Sequence, residues 1–343
     1  MLVNGFPDRV ITVHNKEYLY FGGTSYLGMA ALPEYQEILA QNIKKWGTFY
    51  GSSRSANIQL SVYEKAEKLF AEQLKAEAAL TVSSGTLAGR LVIDFLAKKS
   101  STFFHHPKAH PAILGPKSLP LFVDDKLHST LKNELHQDIV ITVDAISGLD
   151  VAPINFDFLR GISSQKNITL LVDESHSLGV IGENGEGIFH SIPTDKLHRK
   201  IMVASLGKAL GLSGGIIASD ANFIDDLKKE PVFVSASGAN PAYLGTYLQT
   251  QNLYKRQRKY LKKNMAFLFD RLTPNKQLIS NDKYHVMYSN NDTIFTTLLQ
   301  NSIVITNFKY PTYDKPMNRI VIAANHTKQD LEKLIQIINN HDK

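Results

Sequence analysis

A lysine, an aspartate and a histidine follow two apolar runs of the sequence, at points where strands of a sheet would end. Residues 170–187 read LLVDESHSLGVIGENGEG, in which Asp173 ends the apolar run and His176 comes three residues later. Residues 201–215 read IMVASLGKALGLSGG, in which Lys208 follows the second run. In open α/β sheets, ligands lie at the carboxyl ends of the strands. The spacing therefore predicts that these side chains face a ligand, although taken alone Asp173 could cap the next element.

The surroundings of Lys208 suit an amine that forms an imine. Small residues flank it and continue behind it, namely Gly207, Ala209, Gly211, Gly214 and Gly215. Small neighbours let a planar group approach, and burial lowers the pKa of an amine because it disfavours the charged form. The uncharged amine is the nucleophile that attacks a carbonyl carbon. This segment therefore predicts a Schiff-base lysine.

A third segment predicts a phosphate site. Residues 82–87 read VSSGTL, which is the end of a strand-like run followed by small polar residues and an apolar helix. The first N–H groups of a helix point toward the positive end of its dipole, so an anion binds well there. Ser84, Gly85 and Thr86 are the candidate ligands, although serine and glycine are also ordinary helix caps.

Together the three segments predict a pyridoxal phosphate enzyme. Such a site needs a carboxylate for the pyridine nitrogen, a lysine for the imine and a helix N-terminus for the phosphate. Asp173 precedes Lys208 in the chain, which is the order found in the aspartate-aminotransferase fold.

Short apolar runs alternate with segments of helical period, which predicts an α/β fold with a mostly parallel sheet. The predicted strands are 78–82, 139–143, 168–172, 201–205 and 215–218, and the predicted helices are 60–75 and 87–97. After Pro241 the pattern predicts one long helix at 243–272, a strand at 319–323 and a helix at 330–339. The predicted domains are an N-terminal segment (1–45) that packs with the small domain, a large cofactor-binding domain (46–240) and a small C-terminal domain (241–343).

The composition is that of an ordinary globular protein. Of the 343 residues, 43% are hydrophobic, and the formal net charge of +6 suits an anionic ligand as well as a plain lysine-rich protein. The basic residues are scattered, so no nucleic-acid-binding stripe is predicted. The absence of cysteine excludes disulfides and thiolate chemistry. No signal peptide or membrane span is predicted, so we expect a cytoplasmic protein.

The chain resembles the α-oxoamine synthases, the family that includes 8-amino-7-oxononanoate synthase and 2-amino-3-ketobutyrate CoA ligase. The resemblance runs from about Tyr18 to the C-terminus. Its motifs are SYLGM at 25–29, VDESHSLG at 172–179, the glycine turn at 182–187 and SLGK at 205–208. It implies fold type I of the pyridoxal-phosphate-dependent transferases, with a large domain around a mostly parallel sheet and a small C-terminal α/β domain.

The resemblance also implies a role for each candidate site residue. Lys208 would carry the cofactor and act as acid and base at the α carbon of the substrate. Asp173 would pair with the pyridine nitrogen, His176 would bond the phenolic oxygen, and His110 would stack on the ring. The remaining candidates are Ser147 near the phenolic oxygen, Ser84, Gly85, Thr86 and Ser205 at the phosphate, Ser235 and Ser237 at the phosphate of a partner subunit, and Arg319 and Ser25 at the amino acid.

The reaction that the resemblance implies is a condensation with decarboxylation. A small amino acid such as alanine, glycine or serine joins an acyl-CoA, and CoA and CO2 leave to give an α-aminoketone, with biotin synthesis as one pathway. Transamination or aldol cleavage on the same fold is an alternative, and so is a catalytically inactive partner subunit. The resemblance also implies a homodimer with shared active sites.

Two further patterns are interpreted as structural. His105, His106 and His110 form a cluster without an accompanying carboxylate motif, so no metal site is predicted. The glycines at 182, 185 and 187 resemble a dinucleotide-binding loop, but no helix clearly follows them, so a tight turn is predicted.

Overall fold

The computed structural model describes residues 1–99, 102–274, 277–309 and 316–341. The chain forms two compact units, one of residues Gln36–Gln251 and one that combines Met1–Tyr35 with Asn252–Lys343. The sequence suggested divisions after residues 45 and 240. We call the first the large unit and the second the small unit, and each is described by itself.

The helices and strands of the described chain are as follows. The α-helices are α1 (Pro33–Trp46), α2 (Ser61–Leu74), α3 (Gly85–Ala97), α4 (Ala221–Leu227), α5 (Pro231–Ser235), α6 (Pro241–Gln249), α7 (Gln251–Arg271), α8 (Thr293–Gln300) and α9 (Lys328–His341). The strands are β1 (Val10–Val13), β2 (Lys16–Phe21), β3 (Ala78–Val82), β4 (Thr102–His105), β5 (Leu119–Pro120), β6 (Phe122–Val123), β7 (Lys126–Leu127), β8 (Gln137–Asp144), β9 (Lys166–Asp173), β10 (Leu197–Ser205), β11 (Gly215–Ser219), β12 (Leu278–Ile279), β13 (Val286–Ser289), β14 (Ile303–Lys309) and β15 (Pro316–Val321). Short 3-10 helices occupy Met29–Ala31, Pro111–Ile113, Ser129–Leu131, Asp157–Gly161 and Phe189–Ser191.

The large unit contains a seven-stranded sheet in the order β3-β11-β10-β9-β8-β4-β5. Only β11 runs against its neighbours, β3 and β10, and the other pairs are parallel. The central strands β8, β9 and β10 begin with mainly polar residues and continue as buried, mainly apolar runs, since a strand covered on both faces has no solvent side. The predicted strands of this sheet and its mostly parallel character are confirmed.

Helix α3 packs on one face of this sheet. Its residues Leu91, Val92 and Leu96 are buried in one hydrophobic cluster with strand residues such as Leu80 and Ile217. Removing this apolar surface from water stabilises the sheet and holds the first turn of α3 at its edge. The predicted helices at 60–75 and 87–97 correspond to α2 and α3.

The small unit contains a six-stranded sheet in the order β1-β2-β14-β15-β13-β12. Strand β14 pairs in parallel with β2, so the N-terminal hairpin and the C-terminal part of the chain share one sheet. The predicted strand at 319–323 and helix at 330–339 correspond to β15 and α9.

The prediction of one helix over 243–272 is wrong, because the helix is interrupted at Thr250, which separates α6 from α7. The Thr250 hydroxyl donates to the Thr246 carbonyl oxygen at 2.8 Å, and the Gln251 side chain donates to the Tyr247 carbonyl oxygen at 2.6 Å. Side chains thus satisfy carbonyl groups of the last turn of α6. In the described part of the chain, no helix has the length and apolar character needed to cross a membrane.

Candidate active site

The predicted site residues of the large unit lie along one edge of its sheet, at the carboxyl ends of the strands. Strands β8, β9 and β10 are parallel neighbours, and their register places Asp144 beside Asp173 and Asp173 beside Val203. Their carboxyl ends therefore lie side by side, with Ser205 ending β10. This edge is where an open α/β sheet binds its ligand.

Asp173 is a buried carboxylate at the centre of this edge, with 8% of its surface exposed. Its Oδ1 accepts the backbone N–H of Ser175 at 2.8 Å, so the carboxylate closes the turn that follows β9. The Ser175 hydroxyl in turn accepts the backbone N–H of Ser205 at 2.8 Å. These two bonds join the ends of β9 and β10 and fix the position of Asp173.

Lys208 and His176 contact each other directly. The Nζ atom of Lys208 lies 2.9 Å from Nε2 of His176. Lys208 lies in a loop whose two sides are joined by a bond from the Leu206 N–H to the Gly214 carbonyl oxygen at 3.0 Å. The lysine is half-buried, and the structure brings these two predicted site residues into contact.

His110 lies near the charged groups of Asp173 and Lys208. Its pKa is lowered, first by burial and further by the positive charge of Lys208, while the negative charge of Asp173 acts in the opposite direction. Its Nδ1 accepts the backbone N–H of Ala112 at 3.2 Å. The ring is thus held as a neutral imidazole with the proton on Nε2.

The first turn of α3 lies against Ser205. Ser84 caps this helix, since its hydroxyl accepts the backbone N–H of Leu87 at 3.1 Å. A Cβ atom at Gly85 would lie 2.7 Å from Cα of Ser205, so glycine is required for this close approach. The N–H groups of Gly85 and Thr86 belong to the helix start, where a phosphate finds free donors.

Ser147 lies in the turn after β8 and is 5% exposed. Its hydroxyl accepts the backbone N–H of Leu149 at 3.0 Å. The next residue, Gly148, lies close to His176, because a Cβ atom there would be 3.6 Å from Nε2 of the histidine. The turn after β8 therefore reaches the same place as His176.

These groups fit pyridoxal phosphate. A lysine amine, a buried carboxylate, two imidazoles and a helix start lie around the same edge, and a side chain at position 85 would collide with Ser205 where the helix start meets β10. The donor types match the amine, anion and phosphate contacts that this cofactor needs.

The two serines predicted for a partner subunit lie outside this edge. Ser235 and Ser237 are exposed, and the Ser235 hydroxyl donates to the Pro231 carbonyl oxygen of its own helix at 2.8 Å. Their contact with the phosphate of a partner subunit therefore remains a prediction.

Arg319 and Ser25 belong to the small unit. Arg319 is 6% exposed and its Nη2 donates to the Tyr26 hydroxyl at 2.6 Å. Within the described ranges, no carboxylate forms an ion pair with it. Burial lowers the pKa of the neighbouring His285 to about 3, and the charge of Arg319 adds to that effect. A buried cation among tyrosines and a neutral histidine suits an anionic ligand, and the predicted binding of the amino acid by Arg319 and Ser25 stays a prediction.

Two buried carboxyl groups of the site were not predicted as functional. Asp144 ends β8, and Glu174 follows Asp173. The signal for Asp144 was present in the sequence, since it ends the apolar run at 139–143 as Asp173 ends its own run. Glu174 was quoted only as part of a motif, and nothing in the pattern marked it as buried.

A cavity of about 990 Å³ lies elsewhere in the large unit, along α2. Its lining includes Arg54 and Glu67, whose side chains form an ion pair with N–O distances of 2.5 and 3.1 Å. Arg54 also donates to the Thr81 carbonyl oxygen at 2.9 Å. These groups satisfy one another, and the catalytic residue types lie at the sheet edge instead.

The chain is similar to known enzymes over almost its whole length. The sequence profile of the family described as aminotransferase class I and II matches residues 125–338. The 8-amino-7-oxononanoate synthase of Petrotoga mobilis is 26% identical over 353 residues, which cover 94% of this chain and 88% of that protein. The enzyme of the same name from Treponema denticola is 25% identical over 366 residues, which cover 98% and 90%.

Solved structures show the same fold. Serine palmitoyltransferase of Sphingomonas wittichii superposes with a TM-score of 0.83 at 18% identity, covering 98% of this chain and 90% of that one. The 8-amino-7-oxononanoate synthase of Francisella tularensis superposes with a TM-score of 0.71 at 22% identity, covering 95% and 98%. The predicted fold class and the predicted resemblance to the α-oxoamine synthases are confirmed.

Proposed function

The chain belongs to the aminotransferase class I and II family, and from this premise we propose that it is a pyridoxal-phosphate-dependent acyltransferase that joins a small amino acid to an acyl-CoA. The observation that carries the proposal is the contact between Lys208 and His176 beside the buried carboxylate of Asp173. The relatives named 8-amino-7-oxononanoate synthase support this reaction type.

The cofactor would be held from three sides of the site. Asp173 would bind the pyridine nitrogen, and His110 would cover the ring. Ser147 and His176 would face the phenolic oxygen. The phosphate would contact the first turn of α3, through Ser84, Gly85 and Thr86, and the Ser205 hydroxyl. Bound pyridoxal phosphate supplies an electron sink for the bonds broken at the α carbon of the amino acid.

Lys208 would move the proton at that α carbon. Its amine must be uncharged to accept a proton, and the Nε2 atom of His176, 2.9 Å away, is placed to share that proton. Arg319 would bind the carboxylate of the amino acid with its planar guanidinium, and Ser25 would contribute a hydroxyl.

The overall reaction balances without an oxidant. A carbon–carbon bond forms between the α carbon and the acyl carbon, and the carbon–sulfur bond of the thioester breaks. The amino-acid carboxylate leaves as CO2, CoA leaves as a thiol, and one proton is consumed. The product is an α-aminoketone, and biotin synthesis is one pathway that the names of the relatives suggest.

Transamination on the same fold is the second candidate, since the matching family profile is that of aminotransferases. It needs an amino acid and a keto acid but no thioester. An inactive partner subunit is disfavoured, because such a subunit has no chemical need for the contact between Lys208 and His176.

We also propose a homodimer in the cytoplasm. The loop at 51–60 and α5 carry exposed apolar side chains, with Ile58 at 66% and Val232 at 42% exposure. The Ser53 hydroxyl donates to the Val234 carbonyl oxygen at 2.6 Å and links these two segments. An exposed apolar surface of this kind suits a second copy of the chain, with Ser235 and Ser237 nearby in sequence.

The test is release of CoA thiol by the cofactor-loaded protein, across small amino acids and acyl-CoA chain lengths. The chain contains no cysteine, so a thiol reagent reports CoA without protein background. Release that requires both substrates supports the acyltransferase and identifies its substrates. Conversion of an amino acid to its keto acid without thiol release would instead support transamination. The Lys208→Ala variant is the control.

A further inference from the structure

Asp144 is a buried carboxyl group at the candidate active site that the assignments above leave without a role. It ends β8, is 8% exposed and lies level with Asp173 on the next strand. The backbone N–H of Ala145 donates to the Asp173 carbonyl oxygen at 2.8 Å, so pairing of the two strands continues beyond Asp144. The two aspartates are therefore neighbours at the sheet edge.

The side chain of Asp144 reaches the segment that carries His110. Its Oδ1 accepts the backbone N–H of His110 at 3.0 Å. On the other side of the same residue, the imidazole Nδ1 accepts the backbone N–H of Ala112 at 3.2 Å. The backbone of His110 is thus fixed by Asp144, and its ring is fixed by the turn that follows.

We propose that Asp144 is a positioning residue that fixes the imidazole of His110 beside Asp173 and Lys208 by holding the His110 backbone amide. The inference rests on the proposed function in one respect, because it takes His110 as the residue that covers the cofactor ring. Asp144 acts through His110 and is not assigned a contact with substrate or cofactor.

Burial and nearby charges shift the pKa of the Asp144 carboxyl group. Burial raises the pKa of Asp144 well above its ordinary value, and the negative charges of Asp173 and Asp150 raise it further. The bond from His110 and the positive charge of Lys208 act in the opposite direction. The bond from the His110 amide needs only an acceptor oxygen, so a neutral side chain that carries one in this place should replace Asp144.

Two variants of the full-length protein should differ in their effect on His110. Asp144→Asn keeps a neutral acceptor oxygen, whereas Asp144→Ala removes it and leaves the backbone amide of the half-buried His110 without this partner. We expect the asparagine variant to keep the pKa of His110 below its ordinary value of 6.5. We expect the alanine variant to raise that pKa, because the imidazole is no longer held in its buried place, and to weaken binding of pyridoxal phosphate by about tenfold, the order of the free-energy cost of one unpaired amide.

The pKa is read from the imidazole resonances of the cofactor-free protein, with His110→Asn used for assignment. Cofactor affinity is read from absorption titration with pyridoxal phosphate. Asp138→Asn is the matched control, since Asp138 is an exposed aspartate in the same strand and bonds Asn167 at 2.8 Å. It should change neither measurement.

An alanine variant with unchanged His110 titration and cofactor affinity would overturn the proposal. So would an asparagine variant as impaired as alanine, because the negative charge rather than the acceptor would then matter. If the alanine variant does not fold, the asparagine variant decides alone, since it must keep the His110 titration and the cofactor affinity of the parent and a loss of either refutes the proposal. No measurement here involves an acyl-CoA, so a failed acyltransferase assay would leave this test intact.

Discussion

Replacing Glu174 by glutamine should stabilise the protein increasingly as the pH rises. The Glu174 side chain is fully buried, its Oε1 accepts the backbone N–H of Ile188 at 2.9 Å, and its other oxygen contacts the Ser177 hydroxyl. Burial raises the pKa of Glu174 from 4.5 to about 7, although its hydrogen bonds lower it in part. The folded protein therefore holds a proton on Glu174 that the unfolded chain releases at lower pH.

The size of the effect follows from that difference in pKa. Below pH 4.5 the carboxyl group is protonated in both states, so it contributes no pH-dependent cost. As the pH rises toward 7, only the unfolded chain loses its proton, and the free energy of unfolding falls with a slope of about 1.4 kcal/mol per pH unit. The full loss is about 3 kcal/mol and is complete above pH 7. Glutamine cannot ionise, so the variant escapes this loss.

The assay is thermal and urea unfolding of the cofactor-free protein between about pH 4 and 8, with wild type and Glu174→Gln compared at each pH. Near pH 4 the two should unfold alike, and near pH 8 the variant should melt about 6–12 °C higher, for a unit of this size. Glu186→Gln is the matched control on the same loop. The pKa of Glu186 is lowered, because its backbone hydrogen bonds outweigh burial, so this variant should lose stability relative to wild type as the pH rises.

A constant difference between wild type and Glu174→Gln across this range would refute the reasoning. A variant that becomes relatively less stable at high pH would refute it more strongly, because Glu174 would then be a stabilised anion in the folded state.

Three further predictions concern the proposed catalytic machinery. Lys208→Ala should lower kcat at least a hundredfold, which is roughly the contribution of a general acid and base. It should also abolish the absorption band of the lysine-attached cofactor, and a variant that keeps this band would contradict the assignment of Lys208. Gly85→Ala should weaken pyridoxal phosphate binding about tenfold and destabilise the fold by about 1–3 kcal/mol, because the added Cβ atom would lie 2.7 Å from Ser205. An unchanged absorption titration with pyridoxal phosphate would show that the helix start is not the phosphate site. Arg319→Lys should raise KM for the amino acid about tenfold with a smaller change in kcat, since lysine lacks the planar fork; unchanged steady-state kinetics would remove Arg319 from the site.

Much of the fold could be predicted because its signals are local. The apolar runs at 78–82 and 168–172 correspond to β3 and β9, since strands buried on both faces need continuous apolar residues. The predicted long helix at 243–272 was wrong because helical periodicity continues through Thr250, and neither glycine nor proline marks the break. The carbonyl oxygens at this break accept bonds from the side chains of Thr250 and Gln251, and helical periodicity does not report such bonds.

The sequence by itself determined the chemical groups of the site and where they lie along the chain. Asp173 ends a strand, Lys208 follows the end of another, and Gly85 begins a helix. These follow from residue type and from apolar runs that end at a fixed point. Only the tertiary structure decided which groups are neighbours, such as Asp144 beside Asp173 and the amine of Lys208 at 2.9 Å from His176. It also decided the burial that makes Glu174 titrate near neutral pH. The reason is physical: contact and burial depend on strand order and register, which join residues far apart in the chain and leave no local mark in the sequence.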